Sequence, residues 1–254
     1  MTVPNLWLVG VTRLSSSTEL NVPRPPAAVP SVDLLRPSEY TAVLIQTLRS
    51  QPERVRGVRA LEMGCGSGVV LAALGVLGAS GLCGVDVEHE AIEQASNLLD
   101  VLGYGHIAEF YRGDMWRPVT GRSFDLVVAN LPHFPTDFKS FPGRFPSWSW
   151  GGADGRDMLD RFLGGLAEHL APGGRAVITH NAFVGLERSR DIVHDRDLAL
   201  RVVKTTMVHI SGEKLDRMTM SVLRDEKDRS IHRYGPYAFG EMHIVEIGAP
   251  ETID

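Results

Sequence analysis

The chain has 254 residues, 43% of them hydrophobic and 22% charged, with 26 Lys and Arg against 31 Asp and Glu and a formal net charge of −5. That composition is globular, long enough for one large α/β domain, and able to bury roughly 70–75% of the surface its unfolded form exposes. Its mild acidity argues against a protein held to nucleic acid by bulk electrostatics, and two cysteines without a CxxC pair, Cys65 and Cys83, exclude a disulfide framework and give no support to structural zinc.

The longest apolar stretch, Val69 to Val85, is interrupted by Gly and falls short of the ~20 residues a membrane span needs. The opening MTVPNLWLVGVTRL has neither the cationic start nor the cleavage site of a signal peptide. A cytoplasmic location is expected.

Residues 1–33 read as an irregular arm, because the prolines of NVPRPPAAVP cannot continue a helix or a central strand. The domain proper is expected over 34–254. From Asp33 to Arg49 apolar residues recur at helical spacing, with Pro37 placed as at a helix start. Strands and helices then alternate: strand Arg59–Met63, glycine turn, helix Val69–Leu77, strand Gly81–Asp86, helix Glu90–Gly103, strands Ala108–Arg112 and Phe124–Ala129, helix Met158–Leu170 and strand Arg175–Thr179. Beyond Asn181, Val202–Ile210, Arg217–Leu223 and Met242–Ile247 read as strands, and the charged run Arg224–Arg233 as a solvated loop. Apolar strands separated by helices predict an α/β, Rossmann-like doubly wound, mostly parallel seven-stranded sheet with helices on both faces.

Glu62-Met-Gly-Cys-Gly-Ser-Gly68 falls between strand and helix. Glycines there let a ligand approach the backbone, and the helix start aims unpaired N–H groups at it. Roughly twenty residues on, Asp86 ends the second strand, placed to accept hydrogen bonds from ribose hydroxyls. The GxGxG spacing is not the GxGxxG of nicotinamide enzymes, and no GK[ST] follows as a P-loop would need.

With Gly84-Val-Asp86, Gly113-Asp114-Met115 and Asn130-Leu-Pro-His133, this segment resembles the class I S-adenosylmethionine-dependent methyltransferases. The resemblance implies S-adenosyl-L-methionine as cofactor. It implies Glu62, Gly64, Gly66 and Gly68 around its methionine and ribose parts, Asp86 on the ribose, Asp114 on the adenine amino group, and Val87 and Met115 as apolar walls for adenine. Asn130-Leu-Pro-His133 resembles the N-P-P-[YF] motif of methyltransferases that act on amide or amino nitrogens. An amide nitrogen is a poor nucleophile because its lone pair is delocalised. The Asn130 side-chain oxygen and the Leu131 carbonyl would take its two N–H hydrogens and orient it.

Gly151-Gly-Ala-Asp-Gly-Arg-Asp157, Leu159, Arg161 and the His169–Gly174 turn sharpen the resemblance, over roughly Leu34 to Asn181, to the HemK-like release-factor glutamine methyltransferases. Arg36-Pro37 is similar to the start of their RPxTE segment. Three residues depart from the pattern: Leu131 for the first proline, keeping its carbonyl; His133 for Tyr or Phe, as a stacking surface or a base; and Tyr40 for an acidic residue of RPxTE. The candidate catalytic residues are therefore Asn130, Pro132 and His133. The acceptor is expected to be a protein glutamine or a small molecule, with nucleic acid and membrane disfavoured. A small-molecule O- or N-methyltransferase using His133 as base is the alternative, followed by a nucleic-acid methyltransferase or a non-catalytic cofactor module. Phe134, Phe138, Phe141, Phe145, Trp148 and Trp150 crowd between the two motifs, as a lid over the acceptor or as a loop packed on the sheet edge. His180 and Asn181 end the fifth strand, either packed there or lining the pocket.

Overall fold

Short apolar segments with opposite faces buried alternately build the centre of the fold. The structure, a computed structural model, describes residues 37–138, 150–227 and 229–253. The arm expected over 1–33 lies outside them, as do Phe141, Phe145 and Trp148 of the aromatic segment. Five strands pair in parallel in the order β3-β2-β1-β4-β5: β1 (Arg59–Met63), β2 (Gly81–Asp86), β3 (Ala108–Arg112), β4 (Phe124–Ala129) and β5 (Leu170–Asn181). β8 (Tyr237–Gly248) then runs antiparallel between β5 and β6 (Ala199–Ile210). This path holds the seven strands expected. An eighth, β7 (Ile231–Tyr234), forms a hairpin with β8.

The sheet separates two cores, and residue parity decides which side chain enters which. Leu61, Met63, Val127, Ala129, Ala176 and Ile178 enter one core. Ala60, Leu82, Leu126, Val128 and Val177 enter the other. The second core is closed by α1 (Glu39–Arg49), α2 (Val69–Val76) and α3 (His89–Val101), and the first by α4 (Asp157–Leu166) and α5 (Leu186–His194). Such two-sided burial is what drives a mostly parallel sheet.

The sequence reading needs correction in three places. Pro37 precedes the N-cap, Ser38, rather than opening the helix, which starts at Glu39. The segment expected as a strand over Arg217–Leu223 is instead the end of α6 (Gly212–Arg217) and part of α7 (Met220–Glu226). Leu215 of α6, Met218 between the helices and Val222 of α7 pack on the first core, and Ser211 caps α6 by accepting from the Lys214 N–H. The charged run Arg224–Arg233 is not a loop throughout, because Ile231 is fully buried and begins β7. Among the described residues no helix is long and apolar enough to cross a membrane.

Candidate active site

The C-terminal ends of β1, β2 and β4 open into a cavity of about 440 Å³, lined at its edges by the start of α1 and by α6. This is the edge of an open α/β sheet at which ligands bind, and the volume is that of a small-molecule site. Glu62, Gly64, Gly66, Asp86, Val87, Asp114, Met115, Asn130, Pro132 and His133 all face it. Thus residues spread over some seventy positions of the chain meet in one place.

At one end the β1–α2 turn supplies backbone. Gly64, Gly66 and Gly68 have φ of 71°, 49° and 76°, left-handed angles that Gly adopts without a Cβ penalty. The Asp86 carboxylate accepts from the Gly66 N–H at 2.9 Å and the Glu88 N–H at 3.0 Å. Each oxygen keeps a lone pair for a further donor. Burial raises the Asp86 carboxyl above its usual range, against these two hydrogen bonds. Glu62 is held by the Leu71 N–H at 3.2 Å, and burial, with Asp86 adding, pushes its carboxyl well up. Gly68 is the exception among the predicted residues, because it does not line the cavity. A Cβ there would meet Ala95 Cα at 2.8 Å, so this glycine lets α2 close on α3.

Val87 is 38% exposed and Met115 8%, and together they offer two apolar surfaces beside Asp114. Asp114 is ion-paired with Arg161, a partner that an incoming donor would share. A glycine cradle, a buried carboxylate on the cavity wall and an apolar slot with an acid at its edge fit a nucleoside joined to an amino-acid tail.

At the other end, side chains dominate. The Asn130 amide is fixed on both sides: Thr179 Oγ1 donates to Oδ1 at 2.8 Å, and Nδ2 donates to Thr41 Oγ1 at 3.2 Å. Thr41 also accepts from the Ser38 N–H at 3.3 Å, which ties the start of α1 to Asn130. Tyr40 donates to Asn181 Oδ1 at 2.8 Å. Burial raises its hydroxyl to about 12, and its ring meets His133 edge-on at 6.0 Å. The departure from an acidic residue at position 40 thus leaves a neutral wall.

His133 is 4% exposed. Its Nδ1 lies 2.6 Å from the Leu131 carbonyl. A carbonyl only accepts, so Nδ1 carries the proton and Nε2 the lone pair. Nε2 is buried with no partner, and burial lowers the imidazole to about 4. His133 is therefore neutral near pH 7, with its basic nitrogen shielded from solvent.

Beneath it runs a buried relay. Arg156 donates to the Val184 and Gly185 carbonyls and to Ser189 Oγ, Ser189 donates to His180 Nε2 at 2.8 Å, and His180 Nδ1 donates to the Asn181 carbonyl at 2.9 Å. Burial lowers His180 to about 3. His180 is packed, whereas its neighbour Asn181 lines the cavity. The GGADG run lies against the loop after β4. A Cβ on Gly151 would stand 2.8 Å from the Phe134 nitrogen, and one on Gly155 2.8 Å from the His133 carbonyl. These glycines let one backbone seat another. Phe134 and Trp150 of the aromatic segment line the cavity, while Phe138 is 51% exposed.

Residues 60–141 match the protein family described as a methyltransferase domain. The chain carries an S-adenosylmethionine-dependent methyltransferase domain. It is 29% identical over 154 residues to a Methanocaldococcus jannaschii protein described as a protein N5-glutamine methyltransferase, covering 60% of this chain and 75% of that one. It is 29% identical over 192 residues to a release factor glutamine methyltransferase of Xylella fastidiosa (strain Temecula1), covering 73% and 67%. It spans about half the length of further release factor glutamine methyltransferases. Among solved structures, the E. cuniculi Mtq2–Trm112 complex shares the methyltransferase fold at a TM-score of 0.55 and 17% identity, covering 85% of this chain and 99% of that one.

Five contributors were given no site role from the sequence: Thr41, Thr179, Arg156, Ser189 and Lys214. Thr179 alone was traceable, since it closes the strand expected over Arg175–Thr179 and lies two positions before Asn181, where β5 ends.

Proposed function

We propose that this methyltransferase acts on the side-chain amide nitrogen of a glutamine in a protein acceptor. One observation carries the reading: the Asn130 amide is locked between Thr179 and Thr41, beside the Leu131 carbonyl, on the wall of the cavity that Gly66 and Asp86 also line. Two carbonyl oxygens so placed match the two N–H hydrogens of a planar amide. Accepting both aligns the nitrogen and favours positive charge developing on it.

Gly64, Gly66 and Glu62 would hold the amino-acid end of S-adenosylmethionine, Asp86 its ribose, and Val87, Met115 and Asp114 its adenine. When bound, the cofactor supplies an electrophilic methyl group. Asn130 Oδ1 already accepts from Thr179, and its remaining lone pair is the one offered to the acceptor. Leu131 is likewise shared with His133. His133 serves as a neutral wall: its position is set by the Leu131 carbonyl and the Tyr40 edge, and its shielded Nε2 suits neither a solvent-linked base nor a cationic site. The names of the relatives, glutamine methyltransferases of proteins, support the same acceptor.

The test is transfer from tritiated S-adenosylmethionine into cell lysate separated into protein, nucleic-acid and small-molecule fractions, followed by mass spectrometry of the labelled species. The expected result is label in protein as N5-methylglutamine, lost in Asn130→Ala. Label confined to small molecules or nucleic acid would overturn the reading.

A further inference from the structure

α6 and α7 fill the connection between β6 and β7 and lie over the loop that follows Asn130. Thr136 Oγ1 donates to the Arg217 carbonyl at 2.7 Å, and the Thr219 N–H donates to the Pro135 carbonyl at 3.1 Å. Two cations one turn apart on α6 sit on the rings of that loop. Lys214 Nζ is 6.0 Å from the Phe134 ring centroid, and Arg217 Cζ is 5.3 Å from that of Phe138. Both side chains are half-buried. Lys214 lines the cavity, and it is the one Lys or Arg among the described lining residues. Of the lining carboxylates, Glu62, Asp86 and Asp114 belong to the glycine-loop end, while Glu39 opens α1. Glu213 lies 3.5 Å from Arg217 Nε.

Among the described lining residues the carboxylates therefore stand at the glycine-loop end and at the start of α1, and the cation Lys214 stands beside Phe134. We infer that the acceptor segment carries a carboxylate side chain next to the methylated glutamine, and that Lys214, with Arg217 behind it, recognises that charge. This rests on the glutamine reading for the identity of the methylated group. A fixed cation in a half-buried, aromatic-walled mouth is weakly screened, so it attracts an acidic peptide and repels a basic one. A peptide is favoured over nucleic acid because two cations do not make the basic stripe that tracks a phosphate backbone, and the chain is net acidic.

Fluorescein-labelled nonapeptides with one central glutamine, flanked by Asp and Glu, by Ser, or by Lys, provide the probe. Their affinity is read by anisotropy on the S-adenosylhomocysteine-loaded enzyme, and their kcat and KM by methyl transfer. A single-stranded RNA nonamer completes the set. The acidic peptide should bind ~5–10-fold more tightly than the neutral one, with lower KM, similar kcat and a preference that fades in high salt. Lys214→Gln should abolish the preference and Lys214→Glu reverse it towards the Lys-flanked peptide, with S-adenosylhomocysteine affinity unchanged as evidence of an intact fold. Equal binding of the three peptides by the wild type, a preference retained in Lys214→Glu, or Lys214-dependent binding of RNA without acidic peptide would overturn the inference. Preferential binding of acidic peptides without methyl transfer to glutamine would keep it and refute the glutamine reading. Equal methylation of all three would do the reverse.

Discussion

At the β1–β2 end of the cavity a stretch of 25 residues, Glu62 to Asp86, supplies backbone, glycine and two carboxylates, to which Val87, Asp114 and Met115 add. At the β4–β5 end they are side chains collected from α1, β4, β5 and α6. The first end depends on turn geometry and is read from a contiguous motif. The second depends on hydrogen bonds between distant segments, which join Tyr40 to Asn181 and Thr41 and Thr179 to Asn130.

The sharpest way to break this comparison is at Asn130, where the two ends meet. Asn130→Ala removes an acceptor aimed at the charge that develops during transfer, and should cost ~10²–10³ in kcat. S-adenosylmethionine affinity, measured by calorimetry, should change little. A variant turning over at near the wild-type rate would mean that the acceptor nitrogen is held by other groups.

The converse substitution lies at Asp86. S-adenosylhomocysteine at 100 times its dissociation constant should stabilise the native chain by ~2.7 kcal/mol. Asp86→Ala should remove most of the resulting rise in Tm, because it deletes the carboxylate proposed to hold the ribose and loosens Gly66 and Glu88. Far-ultraviolet circular dichroism at 20 °C checks that the variant is folded. An undiminished ligand-dependent shift would move the ribose away from Asp86.

What could be read from sequence follows the same division. The order of strands, the glycine turn, Asp86 and the Asn130 motif were legible because each is local: an apolar run, a positive-φ requirement, a spacing. Tyr40, Thr41 and Thr179 were not legible as a group, because nothing in a Thr at the start of a helix and a Thr at the end of a strand 138 positions later announces that both grip one amide. The β6–β7 connection was misread for a related reason. Arg217–Leu223 taken alone passes for a strand, but the segment spans the break between two short helices at Met218 and Thr219, whose apolar residues Leu215, Met218 and Val222 reach the first core. Gly68, attributed to the ligand by its motif, turned out to serve the approach of α3.

A subtler break is Thr179→Val, which keeps the shape of a residue only 2% exposed and removes the hydroxyl that donates to Asn130 Oδ1. A neutral hydrogen bond of this kind contributes ~0.5–1.5 kcal/mol. Turnover should therefore fall ~3–10-fold through kcat, with cofactor binding untouched. Thr179→Ser, which restores the donor, should recover most of the rate. If Ser and Val behave alike, the hydroxyl is not what orients Asn130.

The smallest effect on rate, and the most informative about acceptor chemistry, is expected at His133. A neutral wall can be replaced by another ring, so His133→Phe should keep kcat within about threefold, because the only hydrogen bond lost is to a carbonyl that the acceptor itself can use. The wild-type rate should show no inflection near pH 6.5, since the folded imidazole titrates at about 4. The same burial makes a separate statement about stability. An unfolded histidine takes up its proton near pH 6.5, while His133 in the fold resists until about 4 and His180 until about 3. As pH falls through this window the unfolded chain binds protons that the native chain refuses, so stability is full above pH 6.5 and declines towards 4. Urea unfolding of His133→Phe should show a shallower decline between pH 6.5 and 4.5 than the wild type, with His180 and His243, both also lowered by burial, contributing to what remains. A steep loss of methyl transfer in a folded, cofactor-binding His133→Phe chain, joined to a wild-type rate that falls below pH 6.5, would instead make His133 the base and shift the acceptor from an amide to a hydroxyl or an amine.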